Sequence, residues 1–334
     1  MKITIDEIAK LAGVSKTTVS RVLNNKPDVS ESTRQHILEL IAEYDFQPNV
    51  FAKSISLQKS YNIGLIIPHE VDHIFANQFY VEVLRGVSTE VDQAGYYLLV
   101  VYPHDHNFVD IYKQKKIDGF VLMSPGRFHR SIIETLQAAE APFISTAKMY
   151  GQEQMVFVDV DNYYGATLAI DHLVSLGHKR IAFIGKPALT SSQDRLEGYK
   201  ATLERYGLPF DESLVKVSES SSTNSGYQAM QELLKQGRPI SAVFLANDVM
   251  SIGAIKALED NGKRVPEDVS VVGFDDILLA RYSKPPLTTI RQPAFQKGRL
   301  AAKMLIEFLE NKTQPESITL DVELVIRNST AKFG

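Results

Sequence analysis

The run Val14-Ser-Lys-Thr-Thr-Val-Ser-Arg-Val-Leu-Asn-Asn25 constrains this chain more than any other stretch. A helix is expected just before it, because Thr4 and Glu7 form a capping-box pair and apolar residues then recur at helical spacing. Gly13 breaks that helix, and Ser15 can cap a second one. The inward face of the second helix is apolar and consists of Val19, Val22 and Leu23. Two short helices therefore meet at a tight turn.

A third helix completes the head of the chain. Ser30 can cap it, and its apolar face is expected to comprise Ile37, Leu38, Leu40, Ile41 and Tyr44. Three short helices bury little surface, so the usual purpose of such a unit is to present its second helix outward. The outward residues would be Lys16, Thr17, Ser20 and Arg21. From the pattern alone, a small helical cap with solvated charges remains the alternative.

Residues 47–60 carry two lysines, no acidic residue and several apolar positions. A helix over about residues 50–56, capped by Asn49 and including Ala52, is too short to be stable alone in water, so it needs a partner. A second copy of the same segment on DNA could be that partner. Two such helices could lie in the minor groove and push Ile55 between base pairs, with Lys53 near phosphate.

Composition limits the class of protein. A chain of 334 residues with 44% apolar and 23% charged residues is expected to form two or three globular domains. The absence of cysteine excludes disulfides and thiolate chemistry. No apolar run is long enough to span a membrane, and the N-terminal residues lack signal-peptide character, so a cytoplasmic location is expected. The net charge of the chain is −4, but residues 1–60 hold eight Lys and Arg against seven Asp and Glu. For DNA binding, the positions of these basic residues matter more than the net charge.

From Tyr61 onward, short apolar runs alternate with helical periodicity. Residues 63–67, 97–101 and 119–123 are expected strands of a parallel, doubly wound sheet. A second series begins at residues 156–160 and continues near 180–184, 242–246 and 269–273. Ligands of open α/β sheets bind beyond the carboxyl ends of the strands, so two α/β lobes predict one cleft between them.

The stretch from Thr4 to Asn24, followed by Gln47-Pro-Asn, resembles the lactose/galactose-repressor (LacI/GalR) family of bacterial transcriptional regulators. The resemblance continues in Gly177-His-Lys-Arg-Ile-Ala-Phe-Ile-Gly, Ala246-Asn-Asp and Val272-Gly-Phe-Asp-Asp, so it covers the whole chain. It implies a periplasmic-binding-protein-like core, in which the chain recrosses near residues 286–290 and a helix over about 294–310 returns to the first lobe. The expected domains are a helix-turn-helix head (1–46), a hinge helix or linker (47–60) and an effector-binding core (61–334). Lobe 1 would hold about 61–160 and 291–320, and lobe 2 about 161–290 and 321–334.

Three candidates for effector binding stand at helix starts or strand ends. Arg195 could grip hydroxyls or a carboxylate with its guanidinium, and a surface arginine paired with Asp194 or Glu197 is the alternative. Asn247 and Asp275 are favoured because amides and carboxylates at strand ends bind sugar hydroxyls. Helix capping is assigned instead to the neighbouring Asp248, and a supporting role to Asp276.

Two further candidates depend on family position. Gln292 matches a position that faces the cleft, and a hinge hydrogen bond is the alternative. Lys148 lies near a place where the family often has an acid. If it points inward beside Arg195, an anionic effector such as a sugar acid or phosphosugar is favoured, while a solvated lysine is the alternative. The segment 218–224 lacks an aromatic residue where relatives often stack one, which argues against a purine effector.

The motif His69-Glu-Val-Asp-His73 matches the zinc-protease pattern, but that chemistry needs both histidines on one face of an ordered helix, which is doubtful right after a strand and Pro68. His69, His73, His104, His106 and His129 could instead converge on the cleft or simply be solvated loop residues. Nucleotide-binding and hydrolase signatures are missing. We therefore expect no enzyme activity, no metal and no cofactor.

Taken with the resemblance, these features predict a repressor of carbohydrate-utilisation genes that binds a near-palindromic operator as a homodimer. Lys16, Thr17 and Arg21 are expected to read base edges, while Ser15, Ser20 and Asn24 hold phosphates. A sugar or sugar derivative in the cleft would control operator binding, as inducer or as corepressor. A phosphoprotein corepressor, a sugar receptor and a metal-dependent hydrolase are the alternatives.

Overall fold

The computed structural model describes residues 3–23, 26–46, 59–67, 71–102, 107–126, 129–186, 189–218 and 220–334. The chain divides into two compact units, Met1–Ser60 and Tyr61–Gly334. The described residues of the first unit form helices, and those of the second form parallel sheets covered by helices. Among the described residues, no helix has the length and apolar character needed to cross a bilayer.

The described residues of the head form three helices, α1 (Ile5–Leu11), α2 (Lys16–Leu23) and α3 (Glu31–Glu43). The predicted caps are confirmed. Thr4 Oγ1 accepts a hydrogen bond from the Glu7 N–H at 3.3 Å, and Glu7 Oε2 accepts one from the Thr4 N–H at 2.7 Å. The Ser15 hydroxyl accepts one from the Thr18 N–H at 3.1 Å, and Ser30 caps α3. Local sequence therefore fixes where each helix begins.

The head has a small apolar core, formed by Ile8, Ala9, Val19, Val22, Ile37 and Phe46. The predicted apolar face of α3 was wrong at two positions, since Leu38 is 48% exposed and Tyr44 is 44% exposed. Each helical residue is rotated by about 100° from its predecessor, so burial of Ile37 turns Leu38 toward solvent. Tyr44 is the C-terminal cap and lies beyond the helical register.

The first sheet of the core has four parallel strands in the order β2-β1-β3-β4. Its strands are β1 (Asn62–Ile66), β2 (Tyr97–Val101), β3 (Gly119–Leu122) and β4 (Phe143–Ser145). The helices between them are α4 (Val71–Ala76), α5 (Gln78–Gln93), α6 (Asn107–Lys113) and α7 (Arg130–Ala138). The three predicted strands are confirmed within one residue, because buried apolar runs mark central parallel strands clearly.

The second sheet has six strands in the order β12-β10-β9-β8-β6-β7. All its pairings are parallel except that of β12 with β10, which is antiparallel, so the predicted parallel sheet carries one antiparallel strand at its edge. The strands are β6 (Ile181–Gly185), β7 (Val215–Val217), β8 (Ala242–Leu245), β9 (Ser270–Asp275), β10 (Thr288–Arg291) and β12 (Glu323–Val325). The helices are α8 (Asn162–Ser175), α9 (Thr190–Arg205), α10 (Thr223–Lys235), α11 (Asp248–Asp260) and α12 (Leu278–Tyr282).

Three stretches of the described chain pass between the two sheets. Strand β5 (Val158–Val160), predicted to begin the second sheet, instead pairs with β11 (Ile318–Leu320) in a separate two-stranded sheet. After β10, helix α13 (Ala294–Asn311) packs on α5 of the first sheet. The polypeptide thus joins the sheets by β5, by the β10–α13 connection and by β11. The first two of these connections contribute Asp159 and Gln292 to the candidate functional site.

Candidate functional site

A cleft with a cavity volume of about 50 Å³ lies at the carboxyl ends of strands from both sheets. This volume is below the ~300 to 1,000 Å³ typical of small-molecule sites, so the lining side chains nearly fill the cleft in this structure. The lining combines apolar and aromatic groups with buried charges. Its residues are Asn77, Phe79, Tyr80, Ser124, Pro125, Ala147, Asp159, Leu189, Ser191, Arg195, Ser221, Asn247, Asp275, Gln292 and Lys297.

Arg195 is buried in this cleft, so it is not the surface arginine of the alternative interpretation. Its Nε and Nη2 donate to Asn162 Oδ1 at 3.0 and 2.7 Å, and its Nη1 donates to the Ala246 carbonyl. The guanidinium carbon lies 3.4 Å from the centre of the Phe274 ring. Burial lowers the pKa of Arg195, although Asp275 and other acids oppose the shift. These contacts hold the guanidinium plane in one orientation.

Asp275 ends β9 beside Arg195, with 3.9 Å between its Oδ1 and Arg195 Nη1. Its Oδ1 accepts a hydrogen bond from Gln292 Nε2 at 2.6 Å. Burial raises the pKa of Asp275 to about 6, against the opposing effects of Arg195, Gln292 and Lys297. The backbone adopts φ = +123°, a region that disfavours L side chains. Backbone strain of this kind is often found at binding sites.

Asn247 lines the cleft and also caps α11, because its Oδ1 accepts from the Met250 N–H at 2.8 Å. The capping role assigned to Asp248 was therefore wrong. Asp248 is fully buried behind the cleft, where it accepts from Thr289 Oγ1 at 2.5 Å and from the Ile277 N–H at 2.9 Å. Burial, with the nearby Asp275, raises the pKa of Asp248 well above its usual value.

Asp276 does not line the cleft, and its side chain is 1% exposed within an arginine cluster. It accepts from Arg291 Nε at 2.7 Å and from Arg327 Nη2, and Arg281 Nη2 lies 3.7 Å away. Asp276 and Arg291 are the chain neighbours of Asp275 and Gln292. Their ion pair thus joins the two strand ends that carry these cleft residues.

Lys148 is not among the residues that line the cleft. Its ammonium lies 4.8 Å from the centre of the Tyr150 ring, and its backbone N–H donates to Asp159 Oδ2 at 2.8 Å. The lysine in the cleft is Lys297, which is 3% exposed and was missed from the sequence. A signal existed, because Lys297 falls on the buried stripe of α13 that includes Ala294, Gly298 and Ala301. A lysine on an apolar stripe needs a buried partner.

In the head, the predicted base-reading residues Lys16, Thr17 and Arg21 are all exposed on α2. Lys16 Nζ lies 3.0 Å from Asp6 Oδ2, and Arg21 Nη1 lies 3.3 Å from Asp28 Oδ2. Exposed ion pairs of this kind contribute only ~0 to 1 kcal/mol, so both cations can exchange an acid for another partner.

The predicted phosphate contacts are placed only in part. Ser15 is exposed and caps α2, Ser20 is half-buried, and Asn24 lies outside the described residues. The predicted hinge residues Asn49, Ala52, Lys53 and Ile55 also lie outside them.

The histidine-rich loops are described only in part. His69, His104 and His106 lie outside the described residues, while the backbone of His73 belongs to α4, so part of this loop is helical where we doubted a helix. His129 Nδ1 accepts from the Gly126 N–H at 2.9 Å, and burial lowers the pKa of His129, with Lys186 adding to the effect. In the parts of the chain that the structure describes, no group of three acidic or histidine side chains is arranged to hold a metal.

Each of the two units contains a match to a known protein family. Residues 4–49 match the bacterial regulatory proteins of the lacI family, and residues 170–330 match a periplasmic binding protein-like domain. The chain is 35% identical over 333 residues to the probable HTH-type transcriptional repressor ExuR of Bacillus subtilis (strain 168), covering 99% of both chains.

Two solved structures extend the comparison. A complex of the transcriptional regulator CelR with cellobiose has a TM-score of 0.77 and 32% identity, covering 98% of this chain and 99% of that chain. The lac repressor dimer bound to operator and the anti-inducer ONPF has a TM-score of 0.85 and 27% identity, covering 99% and 100%. The chain therefore belongs to the LacI family of bacterial transcriptional regulators.

Proposed function

We propose that this protein is a sequence-specific DNA-binding repressor of carbohydrate-utilisation genes, controlled by a sugar or sugar derivative bound in the cleft. The observation that carries the proposal is the cleft itself, which is lined by Arg195, Asp275 and other polar groups and also by Phe79. A guanidinium and a carboxylate can each form two hydrogen bonds with neighbouring hydroxyl groups, and an aromatic ring can pack on the apolar face of a sugar. We assign effector binding to Arg195, Asn247, Asp275 and Gln292, with Lys297 in the place first given to Lys148.

In this proposal the head and the segment after it bind DNA as the domain division 1–46, 47–60 and 61–334 implies. Lys16 and Arg21 contact guanine edges and Thr17 a thymine methyl group, because these side chains are exposed on α2. Ser15, Ser20 and Asn24 contact phosphates. In the minor groove, Asn49, Ala52 and Lys53 support the insertion of Ile55. Two copies of the chain would bind the two halves of a near-palindromic operator.

The effector acts through the connections between the sheets. Asp159 lies in β5, and Gln292 lies in the β10–α13 connection, so a molecule bound in the cleft contacts two of the three crossing stretches. A change in the angle between the sheets then alters the separation of the two linkers in the dimer. Such coupling is typically worth ~1 to 3 kcal/mol.

The proposal is tested with the full chain by selecting binding sites from random duplex DNA and measuring affinity by fluorescence anisotropy. Selected sites should be near-palindromic, and Arg21→Ala should weaken binding about tenfold or more, because a base contact is worth ~1 to 3 kcal/mol. The control Lys10→Ala removes an exposed charge from α1 and should bind normally. Equal affinity for selected and random duplexes would refute the proposed function.

The same protein is then screened by thermal shift against sugars and sugar derivatives. A ligand at 100 times its dissociation constant adds ~2.7 kcal/mol to the free energy of unfolding. The variant Arg195→Lys keeps the buried positive charge but loses the planar guanidinium with its several N–H donors. It should bind operator normally and lose most of the thermal shift caused by the ligand. An undiminished response in this variant would remove Arg195 from the effector site.

A further inference from the structure

Six polar side chains at the cleft form a closed ring of contacts, and all are between 2% and 7% exposed. They come from β5, α8, α9, β9, α13 and the connection before α13. In order around the ring they are Asp159, Lys297, Gln292, Asp275, Arg195 and Asn162.

One half of the ring runs through Lys297. Its Nζ donates to Asp159 Oδ1 at 2.7 Å and to Gln292 Oε1 at 3.4 Å. Gln292 also connects Lys297 to Asp275, because its Nε2 donates to Asp275 Oδ1 at 2.6 Å. Both ends of the Gln292 amide are therefore used within the ring, which fixes its orientation.

The other half runs through Arg195. Asp275 Oδ1 lies 3.9 Å from Arg195 Nη1, and Arg195 donates twice to Asn162 Oδ1. Asn162 Nδ2 then lies 3.5 Å from Asp159 Oδ1, which returns the ring to its starting residue. Asp159 accepts backbone N–H bonds from Val160 and Lys148 as well, both at 2.8 Å.

The ring contains two cations and two carboxylates, so its formal charges cancel. Lys297 is matched by Asp159, and Arg195 is matched by Asp275. A buried charge is tolerated when it is paired and hydrogen-bonded, and an added uncompensated charge is strongly disfavoured. A carboxylate or phosphate on a ligand would bring a third negative charge to a site whose cations are already neutralised.

The ring can still bind uncharged polar groups. The guanidinium of Arg195 has five N–H groups, and its described hydrogen bonds to Asn162 and Ala246 use three of them. Arg195 and Asp275 then present donors and acceptors side by side, which suits adjacent hydroxyl groups. Phe79 and Pro125 in the same lining suit the apolar face of a sugar ring.

We propose that the effector is an uncharged polyhydroxylated molecule of the neutral sugar class, and that the Lys297–Asp159 pair sets this specificity against sugar acids and phosphosugars. The inference rests on the proposed function of the cleft. Lys297 acts by neutralising Asp159. Without Asp159, the same lysine would become a free buried cation and would attract an anionic ligand.

Matched pairs of sugars and their acids test this inference by titration calorimetry on the full chain. The probes are glucose with glucuronate, galactose with galacturonate, and cellobiose with cellobionate, together with glucose 6-phosphate. Wild-type protein should bind the neutral member of at least one pair at least tenfold more tightly than the acid. Tighter binding of an acid or of glucose 6-phosphate overturns the inference and leaves regulation by a cleft effector intact.

Charge variants then separate specificity from folding. Asp159→Asn frees Lys297, so the ratio of neutral to acid affinity should fall about tenfold. The double variant Asp159→Asn with Lys297→Met restores neutrality and should recover the preference for the neutral sugar. Lys303→Met, at a half-exposed position of the same helix, is the matched control and should leave the ratio unchanged.

Each remaining outcome is decisive because operator affinity is measured alongside. A ratio that does not change in Asp159→Asn, in protein that still binds operator, overturns the role of the pair. No binding of any probe by wild-type protein that still binds operator overturns this inference and sugar control together. Loss of sequence-specific operator binding with neutral-sugar binding retained overturns only the proposed function in transcription.

Discussion

At the scale of single residues, the cleft depends on ionisable groups that are buried at a cost to stability. Asp275 illustrates this, because burial raises its pKa to about 6 from the usual 3.8. In the unfolded chain the carboxyl group loses its proton near pH 4, while in the folded protein it keeps the proton until about pH 6. The ionised form is therefore the one that burial penalises, and the penalty accumulates as pH rises from 4 to 6.

Ionisation of Asp275 therefore destabilises the folded protein as pH rises, and Asp275→Asn, whose side chain is neutral at every pH, should avoid this loss. Between pH 4 and pH 7, the free energy of unfolding of the variant should rise relative to wild type by about 2 kcal/mol, since a pKa difference of one is worth ~1.4 kcal/mol and unfolded Asp275 is already partly ionised at pH 4. Urea unfolding at several pH values measures this difference. The neighbouring Asp248 titrates with Asp275, so the midpoint belongs to the pair. The control is Asp321→Asn, at an exposed position, whose free energy of unfolding should change with pH as that of wild type does. The prediction is contradicted if the free energy of unfolding of Asp275→Asn also follows that of wild type from pH 4 to pH 7.

At the scale of elements, the close packing of α13 on α5 returns the chain to the first sheet. A methyl group on Gly298 would lie 2.1 Å from the Val83 carbonyl oxygen, and one on Gly86 would lie 2.0 Å from that of Phe295. Gly298→Ala must therefore separate the helices, at a cost of ~1 to 3 kcal/mol in overpacking. Urea unfolding should show this loss, while Lys303→Ala on the exposed face of α13 should not. An unchanged midpoint for Gly298→Ala would show that the helices can move apart freely.

The elements also show what sequence alone could predict. Central strands such as β1 and β3 were predicted correctly from sequence, because strands buried on both faces of a sheet are continuous apolar runs. The pairing of β5 with β11 was missed, because the partners lie about 160 residues apart and neither strand has a distinctive pattern. Arg195, Asn247, Asp275 and Gln292 were placed by motif position. Lys297 and Asp159 were missed. The position of Lys297 on an apolar stripe indicates a buried partner, but only the structure shows that this partner is Asp159.

At the scale of the whole molecule, the first sheet ends in an exposed apolar edge. Strand β2 is an edge strand, and its Tyr97 and Leu99, which share one face, are 65% and 40% exposed. Unpaired apolar edges are usually covered by another chain or blunted by charge. The proposed function places two copies of this chain on one operator, so we expect a second copy to cover β2.

We expect wild-type protein to sediment as a dimer, and the double variant Tyr97→Lys with Leu99→Lys to sediment as a monomer at the same concentration. Joining two operator half-sites through one dimer raises affinity by about 100-fold or more over a single site. The monomeric variant should lose that factor on a full operator, and both proteins should bind a half-site with similar affinity. Val217→Lys is the control, because Val217 is 69% exposed on edge strand β7 of the other sheet. If the double variant stays dimeric, the subunits associate through another surface, and β2 has no part in bringing two heads to one operator.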